Sequence, residues 1–126
     1  MTEAGEQAFE RAAAHDRAGR EAEAIPEYEE ALRLGLPDAI RRQAMLGLGS
    51  SFRNVGRHDD AVAVLDGACA QFPGDHALRA FRALALSSAG RCEEALGDAL
   101  LLVAEQVELG GYERAVRHYA EELARR

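Results

Sequence analysis

Proton transfer, nucleophilic attack and metal binding would fall in this chain to four histidines, two cysteines and 22 carboxylates. His15-Asp16 and His58-Asp59-Asp60 put an imidazole beside an acid, the pairing that general acid–base chemistry uses. Neighbouring residues on a helix diverge by about 100°, so adjacency alone builds no catalytic pair. Polar residues near helix ends account for both. The histidines and the cysteines Cys69 and Cys92 show no CxxC, HxxxH or HExxH spacing, so no metal site is expected. Gly47-x-Gly49 followed by Ser50-Ser51 has the composition of a phosphate cradle. Such a cradle needs a preceding strand and a helix N-terminus at the loop, whereas these glycines fall within a helical stretch and read as packing positions. No nucleophile–base arrangement, Walker motif or dinucleotide fingerprint occurs. The reading is no catalytic residue, no cofactor and no enzyme.

The elements that would position these residues are helices. Ala, Leu, Glu and Arg dominate, all strong helix formers, and Trp is absent. Three segments share one turn: Ala18-Gly19-Arg20, Val55-Gly56-Arg57 and Ala89-Gly90-Arg91, with Ala24, Ala61 and Ala95 opening the helices that follow. Gly56 to Gly90 spans 34 residues, as does Ala61 to Ala95, while Gly19 to Gly56 spans 37, the surplus fitting the loop Gly35-Leu36-Pro37-Asp38. Gly110-Gly111-Tyr112-Glu113-Arg114-Ala115 is a weaker fourth echo. A helix commonly ends on a left-handed residue, where glycine escapes the Cβ penalty. Helices are predicted over 4–18, 21–34, 38–55, 58–71, 76–89, 92–108 and 111–125. Asp59 and Asp75 stand near the starts of two, where a carboxylate caps or favours the dipole. Met45, Leu48, Phe52 and Val55 recur at three- and four-residue steps, and Tyr112, Ala115, Val116, Tyr119 and Leu123 make one stripe on the last helix. Each helix thus has a face that needs a neighbour, which stacked hairpins supply. The fold expected is all-α, a single domain over 1–126.

The middle unit reads Met45-x2-Leu48-Gly49-x2-Phe52, then Ala61-x3-Leu65, Ala68 and Pro73. It resembles the tetratricopeptide repeat, whose pattern and period it follows. The resemblance implies a superhelix of three helical hairpins, repeats at about 5–38, 42–75 and 76–109, and a C-terminal capping helix at about 111–125. Gly49 and Ala61 would lie where two helices touch closely. The first unit matches at Ala12, Gly19, Ala24, Tyr28 and Ala31, with His15 in place of an aromatic. The third keeps Ala83, Gly90 and Ala95 but carries Arg79 and Arg82 where large apolar residues are expected. These two arginines are read as interface residues or as partners of acids such as Glu93 and Glu94. The run Leu46–Arg57 is similar to that of short, single-domain bacterial members of the family, which implies a homodimer.

The family's odd-numbered helices line a concave groove, so the resemblance implies a protein or peptide partner held there. On the first, third and fifth helices the groove positions are Phe9 and Arg17, then Leu46, Ser50, Arg53 and Asn54, then Leu84. The second helix carries Glu21, Glu23, Glu27, Glu29 and Glu30, while the third and fifth carry Arg41, Arg42, Arg53, Arg79 and Arg82. A groove richer in Arg than the acidic body suits an acidic or C-terminal carboxylate, since Arg offers planar paired donors. All 15 basic residues are Arg, and the absence of Lys disfavours the two-carboxylate clamp by which some family members hold chaperone C-termini. The net charge of −7 argues against nucleic-acid and anionic-membrane partners. No apolar run approaches the roughly 20 residues of a membrane span. Met1 is followed by Thr2 and Glu3 with no apolar leader, so a cytoplasmic protein with reduced, buried thiols is expected.

Overall fold

The repeated glycine is what sends each helix back along its predecessor. Gly19, Gly56 and Gly90 adopt φ of 76°, 88° and 85°, a left-handed backbone that strains any side chain. The arginine after each donates its amide to a carbonyl five residues back: Arg20 to His15 at 2.8 Å, Arg57 to Phe52 at 2.8 Å and Arg91 to Leu86 at 2.9 Å. These bonds satisfy carbonyls that a helix end leaves without partners. Three hairpins follow from one local rule.

The computed structural model describes residues 3–125, and among them the helices are α1 (Glu3–Arg17), α2 (Glu21–Leu34), α3 (Asp38–Asn54), α4 (His58–Gln71), α5 (His76–Ser88), α6 (Cys92–Gln106) and α7 (Glu113–Ala124). The architecture is all-α. Residues 1, 2 and 126 of the expected domain lie outside the described residues. Asp75 caps α5, its side chain accepting from the Leu78 amide at 3.0 Å. Asp59 sits in the first turn of α4.

Alanines bury completely where helices cross, among them Ala8, Ala12, Ala24, Ala31, Ala44, Ala61, Ala68 and Ala85. Larger residues fill the spaces between: Tyr28, Met45, Leu48, Phe52, Leu65, Leu78 and Leu86. A Cβ on Gly49 would stand 2.6 Å from Leu65 Cγ, so the close approach of α3 and α4 requires glycine, as the repeat pattern implies. Gly47 is equally tight against the ring of Tyr28.

Each inner helix rests on the pair before it: α3 on α1 and α2, α5 on α3 and α4. By contrast α2, α4 and α6 do not approach one another. A row of helices drawn together on one side and splayed on the other curves, so α1, α3 and α5 line the concave face.

The C-terminal end departs from this scheme. The backbone of α7 runs beside α6 and approaches no other helix among the described residues. Gly97 permits this, for a Cβ there would meet the Ala120 carbonyl oxygen and the Ala124 nitrogen at 2.6 Å each. The expected start of the last helix at 111 moves to Glu113, because Gly110 and Gly111 are left-handed, at φ 62° and 92°. The helix expected to reach 108 stops at Gln106. The expected apolar stripe packs only in part: Val116 and Leu123 are half-buried beside the fully buried Ala120, whereas Tyr112 and Tyr119 are 71% and 63% exposed. The last helix therefore caps α6 and leaves α5 uncovered. Cys69 is half-buried but Cys92 is exposed, which corrects the expectation of two buried thiols.

Candidate functional site

On the concave face, Phe9 and Arg17 of α1 share a shallow hollow with Ala13, Asp16, Tyr28 and Gln43. Their spacing of eight residues along one helix puts them on the same side. The Phe9 and Tyr28 rings lie 6.2 Å apart and tilted by 57°. Tyr28 donates its hydroxyl to Asp16 at 2.6 Å, and burial together with that bond holds the phenol well above its ordinary value. It is a fixed wall of the hollow and not a proton donor at neutral pH. Gln43 was legible, standing one turn before Leu46 on α3, but carries no charge to draw notice.

Leu46 is half-buried and packs against the core, and Ser50 is half-buried one turn on. Arg53 crosses to α5, donating from Nε to Ser88 Oγ at 2.8 Å. Asn54 is drawn off this row: its Nδ2 donates to Glu21 at the start of α2, at 3.0 Å. Leu84 is 44% exposed at the C-terminal end of the face.

The remaining arginines of α3 and α5 are already committed. Arg41 pairs with Asp38 at 2.9 Å and Arg42 with Asp75, whose carboxyl that guanidinium holds below its ordinary range. Arg79 pairs with Glu105 at 2.6 Å. Arg82 binds Asp66 on α4 and Asp98 on α6, with Glu94 at 3.7 Å. Burial pushes the Asp98 carboxyl above its ordinary value against the pull of Arg82. Arg79 and Arg82 therefore line a crevice with Cys69, Pro73, Gly74 and Asp98, placing charge where the middle repeat has Met45 and Leu48. Arg17 and Arg53 have no carboxylate partner among the described residues. Among the described residues the concave face thus keeps two cations that no carboxylate neutralises, Arg53 being held only by the Ser88 hydroxyl.

Sequence reasoning missed a second feature. Ala80, Ala83, Leu84 and Ser87 of α5 and Cys92, Ala95, Leu96, Ala99, Leu102 and Val103 of α6 enclose an apolar groove of about 580 Å³. Leu96 and Val103 are 51% and 41% exposed. The signal was present as the three- and four-residue spacing of Leu96, Ala99 and Val103, which a covering α7 was expected to hide.

Among the described residues no helix is long and apolar enough to cross a membrane, and no three His, Cys, Asp or Glu side chains gather as a metal site would require. No curated protein matches the sequence. The family described as tetratrico peptide repeat matches residues 5–123. With the glycine turns, the nested small residues and the curved row of hairpins in place, the chain belongs to the tetratricopeptide repeat family.

Proposed function

We propose that this protein–protein interaction module holds an acidic polypeptide segment along the concave face of α1, α3 and α5. The observation that carries the reading is the difference among the arginines: Arg41, Arg42, Arg79 and Arg82 are spent on internal acids, while Arg17 and Arg53 are not. A guanidinium without a carboxylate partner offers paired donors to a ligand's carboxylate. Phe9 and Leu46 supply apolar surface beside these cations, and Ser50 a hydroxyl. Affinity in such interfaces rests on a few desolvated anchors and not on total area. The test is fluorescence anisotropy on matched synthetic peptides, one set with Glu and one with Gln at the same positions. Arg17→Glu and Arg53→Glu each weaken the Glu set about tenfold and leave folding intact by circular dichroism. Equal binding of both peptide sets by the unaltered protein sinks the reading.

A second reading, a self-assembling homodimer, is favoured by the exposed apolar surface at the C-terminal end, including Tyr112 and Tyr119. Contiguous exposed apolar surface marks interaction sites. Light scattering decides it: a monomer at tens of micromolar rules the homodimer out.

A further inference from the structure

We propose that the groove between α5 and α6 is the seat of an acidic amphipathic helix supplied by the partner. The inference rests on the concave face being the binding surface and adds which part of the partner enters, and in what conformation. Three observations converge on it.

The first is the stacking rule. An inner helix sits against both helices of the hairpin before it, as α3 does on α1 and α2 and α5 does on α3 and α4. The next inner helix should sit on α5 and α6 alike. Gly97 and the left-handed pair Gly110-Gly111 instead bring α7 beside α6 alone, so the place beside α5 is open. What remains has the dimensions of a helix's seat because a helix is what the repeat elsewhere puts there.

The second is its lining. No charged side chain is among the residues that enclose the groove, in a chain of which 29% is charged. Ala80, Ala83 and Ala99 leave room for the incoming side chains, and Leu84, Leu96 and Val103 present exposed apolar surface to them. Helices that lay an apolar face into such a groove anchor at positions spaced three, four and seven apart.

The third is charge, and it selects the occupant. Leu84, in the groove, and Ser88 are one turn apart on α5. Ser88 holds Arg53 at 2.8 Å, and Arg53 has no carboxylate partner. A cation thus stands within about one helical turn of the apolar seat. A helix with an Asp or Glu beside its apolar face satisfies both, and a basic helix puts like charges together.

Panning a phage-displayed library of random 16-residue peptides on the whole chain tests this, with the selected peptides then synthesised and measured by anisotropy. Selected sequences should carry apolar residues at helical spacing with an adjoining acid, and should gain helical circular dichroism on binding. Leu96→Glu, an exposed position that leaves the fold intact, weakens them at least tenfold. Arg53→Glu weakens them about tenfold, and replacing the peptide's acid with its amide removes that sensitivity. Selected peptides indifferent to Leu96→Glu but sensitive to Arg17→Glu overturn the groove while leaving the concave reading in place. Insensitivity to both Arg17→Glu and Arg53→Glu, with Leu96→Glu still effective, overturns the concave reading and the acidic character of the occupant, while the groove stands as a helix seat. Selection of basic helices, or a stable dimer that Leu96→Glu converts to monomer, overturns the proposed occupant. An unselective library overturns it as well.

Discussion

The first two hairpins and the C-terminal end are built from the same kind of sequence and reach different arrangements. In α1–α4 an inner helix is clasped by two predecessors, its Ala44 buries completely, and the glycine turns repeat to within 0.1 Å in their closing bonds, at 2.8 Å for both Arg20 and Arg57. Beyond α5, the third hairpin closes with the same turn, yet α7 leaves the register. The hairpin is therefore a local property, fixed by a glycine and the residues around it. The stacking of one hairpin on the next is not local. It depends on the connection, and the one from Val107 to Tyr112 is longer than that of Gly35–Pro37 between α2 and α3.

Four substitutions sharpen this contrast. Leu48, 4% exposed within the clasped region, should lose about 2–5 kcal/mol of stability as Leu48→Ala, measured by urea denaturation. A loss below about half a kcal/mol would put α3 in a different register from the one described. Gly97→Ala inserts a Cβ against backbone that cannot retreat as a side chain would. It should destabilise by about 1–3 kcal/mol, with amide-exchange protection lost across 113–124 while α1–α4 keep theirs. Protection lost evenly throughout would mean α7 is integral to the stack. Asp75→Ala removes the cap of α5 and the partner of Arg42, for about 1 kcal/mol. The pH dependence has a definite sign. The Asp75 carboxyl is held below its ordinary value, so its stabilisation is present at neutral pH and disappears as pH falls through that lowered value. The substituted protein should show a flatter acid limb of stability against pH. Leu96→Glu, at a half-exposed position of the open end, should change stability by no more than about 0.5 kcal/mol.

Much of the fold is legible in the residues because it is written locally. Gly19, Gly56 and Gly90 mark three turns, and Gly49 opposite Leu65 marks a close crossing. The path of α7 was not legible, since Gly97 looks like any small residue until the backbone of Ala120 and Ala124 is placed against it. Tyr112 and Tyr119 misled for a related reason: an apolar stripe states that a face can be buried, not that anything reaches it. At the candidate site, spacing brought Phe9 and Arg17 to one hollow and set Arg53 on the face toward α5. It could not tell which arginines were already engaged. Asp66, Asp98 and Glu105 are distant in sequence from the guanidiniums they neutralise, so the pairing of Arg79 and Arg82 exists only in three dimensions.

Arg82 has a mechanical consequence. Its guanidinium grips Asp66 on one outer helix and Asp98 on the next, fixing the distance between α4 and α6. Among the described residues no hydrogen bond or ion pair joins α2 to α4 in the same way. A curved stack bends by opening or closing the gaps on its outer side, much as a spring does. With one gap clamped, the concave face should yield more readily at its first junction, between α1 and α3, than between α3 and α5.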